Sequence, residues 1–325
     1  MSSSLTVDPD NFGNNLQPLP KDVLYNIANS IDLVTLQSWR ATCRIADRTA
    51  SRALTLRYTS TLRTFVDNPT GFRNILRLTK SIISGSTALN ILDIDRASNW
   101  TPTDLDIYTP HHAVIQMLVY LTKIEGYDII NDPPQYSFPS GGFTAVYRLR
   151  RGTKTINVIQ SATCSALHPL PHFWATHVMN YITSDTFCIA YPEYTLNGKA
   201  LLNPIHLIDN LHAPPRTVAN ITKYTARGYD IRTRTTAWSP DPLAPCDNRA
   251  ACPQTIRFFG DKFCLMGSFD DHSQPPIQER AQPDATKIVR WWRGGPPCGG
   301  TCTHTYNAHQ RSIPCVQTRP NPLIA

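Results

Sequence analysis

Ser84-Gly85-Ser86-Thr87-Ala88-Leu89, then, eighteen residues after Ser86, Asp104-Leu105-Asp106-Ile107-Tyr108, are the two phrases on which the reading of this chain turns. Ser81 to Gly85 is expected to be a short buried strand, with a helix starting at Ser86 and running to Leu92. Gly85 lets the backbone approach a ligand closely, and the free N–H groups of the helix start favour a phosphate through hydrogen bonds and the helix dipole. Gly85, Ser86 and Thr87 are therefore the candidate phosphate-holding residues, Ser86 adding a hydroxyl. In a strand alternate side chains share a face, so Asp104 and Asp106 point the same way while Leu105 and Ile107 pack behind them. Two carboxylates side by side repel unless a cation bridges them. Mg²⁺ takes one or two carboxylates together with phosphate oxygens, which this pair can supply.

The elements around these phrases can be ordered. A polar loop is expected over 93 to 102, then a strand Asp104 to Tyr108 broken by Pro110. His111 to Ile124 reads as a helix through Val114, Leu118 and Leu121, with Gly126 as its stop. Gly141-Gly142 introduces Phe143 to Leu149, a tight Arg150-Arg151-Gly152 turn, and Lys154 to Gln160, which together read as a hairpin. Beyond it a helix is expected over Pro169 to Thr183, a strand over Thr186 to Tyr191 and another over 194 to 202.

The order β-α-β-α-β-β, with the Gly-Ser and Asp-x-Asp phrases in their places, resembles the minimal core of the DNA polymerase β-like nucleotidyltransferase superfamily. The resemblance implies a Mg²⁺-dependent site for a nucleoside triphosphate, with Asp104 and Asp106 as metal ligands and Gly85 and Ser86 on the triphosphate. It also implies a third carboxylate on a later neighbouring strand. In this chain that strand reads Thr155-Ile156-Asn157-Val158-Ile159-Gln160, and the matching position is Asn157. An amide can ligate through its oxygen, but it brings no negative charge and cannot act as a base near neutral pH. No acidic residue lies between Asp132 and Asp185. Unless Asp128 or Asp185 reaches in, the site has two carboxylates, which leaves both a transferase and a catalytically degenerate binder open.

Upstream, Leu19 to Ile31 places Val23, Leu24, Ile27, Ala28 and Ile31 on one helical face, with Pro20 suited to its first turn. A second short helix carries Leu33, Leu36 and Trp39, and Cys43-Arg44 leads into a third through Arg57. The run resembles an F-box in Leu19-Pro20, Asp22, Leu24, Ile27, Ile31-Asp32, Leu36 and Cys43-Arg44, though no tryptophan follows between Ile45 and Thr49. That resemblance implies an adaptor whose residues 19 to 55 dock on a Skp1-type ubiquitin ligase subunit. Residues 58 to 80 read as a helical connector broken at Pro69-Thr70-Gly71. As a whole, the chain resembles a group of fungal proteins in which an F-box-like start precedes a nucleotidyltransferase-like segment. The phrases concerned are Ser84 to Leu89, Asp104 to Tyr108, Val158-Ile159-Gln160-Ser161 and Thr176-His177-Val178-Met179-Asn180, over roughly residues 19 to 265.

The fold class expected is α+β: a polar leader over 1–17, a three-helix unit over 18–57, the connector, a mixed sheet with flanking helices over 81–234, and an irregular region over 235–325. Proline, 27 in 325 residues, crowds the last of these. The formal charge of +7 lies wholly in the second half, since residues 1 to 140 hold 12 Lys/Arg against 13 Asp/Glu and 141 to 325 hold 19 against 11. A basic half beside a phosphate site suits a polyanionic ligand. Arg148, Arg150, Arg151 and Lys154 of the hairpin are candidates for facing it.

No run of about 18 apolar residues is present, so no membrane span is expected, and the start lacks a signal-peptide pattern. A cytoplasmic or nuclear protein is the expectation, with its nine cysteines as free thiols or metal ligands. Cys246, Cys252, Cys298, Cys302 and His304 do not fit a common zinc-finger spacing, and His168, His172 and His177 do not share a helical face. Trp291-Trp292, flanked by Lys287, Arg290 and Arg293, is expected to pack on the domain surface.

Overall fold

A computed structural model of the chain describes residues 19–131, 140–207, 213–238, 250–269, 287–294 and 315–320. Four helices come first: α1 (Lys21–Ser30), α2 (Leu33–Arg40), α3 (Arg44–Arg63) and α4 (Pro69–Thr79). Asp32 caps α2 by accepting from the Val34 and Thr35 N–H groups at 2.9 and 3.0 Å. The Cys43 sulfur accepts from the Ala46 N–H at the start of α3. There follow β1 (Ile82–Ser84), α5 (Gly85–Leu92), α6 (Ile94–Ala97), β2 (Asp104–Thr109), α7 (Val114–Lys123), β3 (Asp128–Ile129), β4 (Phe143–Arg151) and β5 (Lys154–Ser161). The chain continues through β6 (Asn180–Ile182), β7 (Thr186–Ile189), α8 (Pro192–Thr195), β8 (Lys199–Leu201), α9 (Pro215–Thr225) and β9 (Asp230–Arg232). Last come β10 (Arg257–Phe258), β11 (Leu265–Ser268), β12 (Lys287–Trp292) and β13 (Cys315–Pro320).

The fold is mixed α+β. Its main sheet runs β11-β7-β6-β1-β2-β5-β4-β3, and within it β2 and β5 are the parallel pair while the other neighbours are antiparallel. One face is apolar and covered by helices: Ile83, Leu105, Ile107, Ile156 and Val158 join Leu54, Leu62, Phe72, Ala88 and Met117 in a single core. The other face carries Ile82, Tyr108, Ile159 and Tyr181 under Leu170 and Val289. Because the pleat alternates, Asp104, Asp106 and Asn157 emerge on this second face, beyond the edge of that cover.

Several elements differ from the sequence expectation. Pro169 to Thr183 is no helix: two 3₁₀ turns, Leu170–His172 and Thr176–Val178, lead into β6. Pro169 and Pro171 remove two backbone donors from any helical ladder, and Asn180–Ile182 completes the sheet beside β1. Residues 194 to 202 divide between the end of α8 and β8. The expected polar loop contains α6, and the helix after β2 starts at Val114 rather than His111.

Pro69 opens α4 instead of breaking a helix, as proline at a first helical position can, and Asn68 caps it through the Gly71 N–H at 2.9 Å. The helix expected to end at Arg57 continues to Arg63. The three-helix unit shares its core with the sheet: Leu33, Leu36, Ala50 and Leu54 belong to the cluster that contains Phe187, Ile189 and Phe269. Arg40, buried, seals that contact by donating to Asp47, Ser51 and the Ser268 carbonyl.

The C-terminal region is not wholly irregular. There β11 extends the main sheet, and β10, β12 and β13 form a small antiparallel sheet. Trp291 is fully buried in β12, stacked on Phe259 at 4.5 Å, where the sequence reading had it on the surface. No helix among the described residues is long and apolar enough to cross a membrane. The 1–17 leader and Cys246, Cys298, Cys302 and His304 lie outside the described residues; Cys252 is buried.

Candidate functional site

Three neighbouring strands bring the sequence-predicted residues together. Ser84 of β1 stands opposite Asp106 of β2, and Asp106 stands beside Asn157 of β5. The Asn157 amide donates to Asp106 Oδ1 at 2.9 Å and to Asp104 Oδ2 at 3.4 Å, so one side chain bridges both carboxylates. Asn157 therefore stands directly beside the carboxylate pair. Neither alternative acid reaches the cluster. Asp185 is held by Arg77 at 2.5 and 3.0 Å and lies 3.6 Å from Arg73, and Asp128 is exposed on the terminal strand β3.

Gly85 has φ +65°, in the left-handed region, and a Cβ added there would lie 2.8 Å from Asp106 Oδ2. Glycine is therefore required twice over, for the turn from β1 into α5 and for contact with the carboxylate. Ser84 is fully buried and donates to the Asn180 carbonyl at 2.5 Å, tying the turn to β6. Thr87 is also fully buried, and its hydroxyl donates to the Asp104 carbonyl at 2.7 Å. Its side chain therefore clamps α5 to β2, which leaves Ser86 as the hydroxyl of the phrase with no hydrogen bond among the described residues.

Burial pushes the Asp106 carboxyl up to about 6, and the Asp104 charge beside it pushes the same way; the Asn157 hydrogen bond and the Lys223 charge act against them. Burial likewise raises the Tyr108 hydroxyl, with the Asp106 charge adding to it and Arg216 opposing. Arg216 and Lys223 both lie on α9, which the sequence reading did not connect with the site. The available signal was the pair Arg216 and Lys223, seven residues apart and so on one helical face, in a stretch to which the sequence reading assigned no element. On the other side, Arg148 faces Asn157 and Arg150 faces Thr155 across β4 and β5, so both exposed arginines share the face of the carboxylates. Arg151, in contrast, turns to Asp67 at 2.8 and 2.9 Å, and Lys154 lies 3.7 Å from Asp67.

Two carboxylates on one face, with backbone N–H groups of a helix start beside them for phosphate oxygens, are donors that Mg²⁺ with a phosphate could use, while the Asn157 amide turns its N–H groups and not its oxygen toward the pair. Asp104 and Asp106 would hold the ion, and when bound it would screen a triphosphate's charge. Asn157 offers no base.

Among the described residues, no hydrogen bond or ion pair joins His168, His172 or His177 to the carboxylates. His168 and His172 pack with ring centroids 5.7 Å apart, and His168 Nδ1 bonds to Thr318 at 2.7 Å. His177 is fully buried among Trp174, Tyr224 and Tyr229, and burial, with the Arg227 charge adding to it, pushes its imidazole down to about 3.

No protein-family model, curated protein or solved structure matches this chain.

Proposed function

We propose that the chain is a nucleotidyltransferase-like protein that binds a nucleoside triphosphate with Mg²⁺ between Gly85-Ser86 and the Asp104–Asp106 pair, with its catalysis degenerate at Asn157. The carrying observation is the register that sets Ser84, Asp106 and Asn157 side by side on three strands, with Gly85 against Asp106. Burial and like charge keep a proton on Asp106 near neutral pH more readily than on an ordinary carboxyl, and a bridging cation removes that penalty. A ligand that binds the folded state alone at a hundred times its Kd stabilises it by about 2.7 kcal/mol. Nucleoside triphosphate with Mg²⁺ should therefore raise the melting temperature of the wild type and leave Asp104→Ala unmoved. Equal shifts in both would place the ligand elsewhere. Transfer of label from an α-labelled nucleotide to any acceptor, lost in Asp104→Ala, would contradict the degenerate reading.

A second reading has its own observation. Leu19, Val23, Ile27, Val34 and Ile45 of the first three helices and their lead-in are 54%, 38%, 36%, 46% and 52% exposed. This apolar set supports docking of residues 19 to 55 on a Skp1-type partner. Val23→Asp should abolish capture of a purified Skp1-type protein without lowering the melting temperature, and no capture by the wild type would defeat this reading.

A further inference from the structure

Two thiols remote from the carboxylate site meet where β7 and β11 pair. Met266 stands opposite Cys188, and Cys264 immediately precedes β11, two residues before Met266. Cys188 is fully buried, Cys264 is partly exposed, both are free, and Cys264 packs against the core cluster that contains Cys188 while its Sγ donates to the Phe258 carbonyl at 3.7 Å. A buried cation completes the arrangement. Arg257 Nη2 lies 3.6 Å from Cys264 Sγ, and the same guanidinium is fixed by Asp261 at 2.6 and 3.1 Å and by the Ala190 carbonyl at 2.7 Å. The pair is thus asymmetric: one sulfur accessible and beside a guanidinium, the other sequestered behind it.

We propose that Cys264 is an oxidation-sensitive thiol and Cys188 its resolving partner, so that a hydroperoxide converts the pair into a disulfide across β7 and β11. The electrostatics agree with these roles. The neighbouring Cys188 thiol is the largest influence on Cys264 and lowers its thiol below the usual range, Arg257 adding to this, while burial pushes the Cys188 thiol up. In the first step the Cys264 thiolate attacks one peroxide oxygen, the O–O bond breaks, and the departing oxygen takes a proton, leaving a sulfenic acid on Cys264. In the second, Cys188 gives up its proton and its sulfur attacks Cys264 Sγ. The S–S bond forms as the S–O bond breaks, and the hydroxyl leaves as water. Two sulfurs have lost two electrons in all, and one hydroperoxide has been reduced. A small dithiol reverses the change. A low-pKa, accessible thiol beside a second cysteine is the arrangement in which oxidation stops at a disulfide instead of running on to sulfinic acid.

The test uses the full chain treated with hydrogen peroxide, blocked with an alkylating agent and mapped by mass spectrometry without reduction. Trypsin leaves Cys164 and Cys188 on one peptide, 155–199, so the mapping is repeated in Cys164→Ser. The expected product joins 155–199 to the Cys264 peptide, lighter by two hydrogens, persists in Cys164→Ser and disappears in Cys264→Ser. In Cys188→Ser the reaction should stall, and a sulfenic-acid trap should label Cys264 several-fold more than in the wild type. A cross-link that vanishes in Cys164→Ser, or equal trapping of Cys264 with and without Cys188, overturns the proposal.

Discussion

At the scale of single residues, the candidate site rests on two side chains and one absent side chain. Gly85 combines φ +65° with a Cβ position 2.8 Å from Asp106 Oδ2. Gly85→Ala should therefore cost about 2 kcal/mol or more in urea denaturation, the left-handed conformation alone accounting for about half. Loss of less than a few tenths of that would mean the turn relaxes freely. Asp106 supplies a pH dependence of definite sign. Its proton is held more tightly in the folded chain, at about 6, than in the unfolded chain, so stability falls as pH rises from the ordinary Asp range through 6 and levels above it. Asp106→Asn should flatten that segment of the stability profile, which denaturant melts at closely spaced pH values would reveal.

Among the elements, β1, α5, β2 and the β4–β5 hairpin were legible because each is short, strongly apolar on one side and bounded by glycine or proline. The Asp-x-Asp face followed from period-two alternation, the Gly-Ser turn from a glycine ahead of a helix start, and the choice of Asn157 from the resemblance to the nucleotidyltransferase core. Pro169 to Thr183 was not legible: Phe173, Trp174, Val178 and Ile182 give a helical spacing, but their burial comes from covering a sheet face and continuing it as β6. Tertiary pairing overrode the pattern. The contribution of α9 was likewise hidden, since what brings Lys223 near Asp106 and Arg216 near Tyr108 is the fold and not proximity in the chain.

At the scale of the whole molecule, the first three helices are not a detachable module. Leu36 is fully buried in the core that reaches Phe187 and Phe269, so Leu36→Ala should cost about 2–5 kcal/mol and move the entire unfolding transition. A separate early melting step confined to the helical segment would contradict a shared core. The exposed apolar residues of those helices and the carboxylate site therefore sit on one folded body, and docking at the first can be tested without dismantling the second.

Calorimetric titration of nucleoside triphosphates in the presence of Mg²⁺, run on the wild type and on Asp106→Asn, bears most directly on the proposed function. Saturable binding by the wild type that needs Mg²⁺ and is lost or weakened at least tenfold, about 1.4 kcal/mol, in the variant is the predicted result. Heat absent from every triphosphate with the wild type, or identical isotherms for the two proteins, would contradict it.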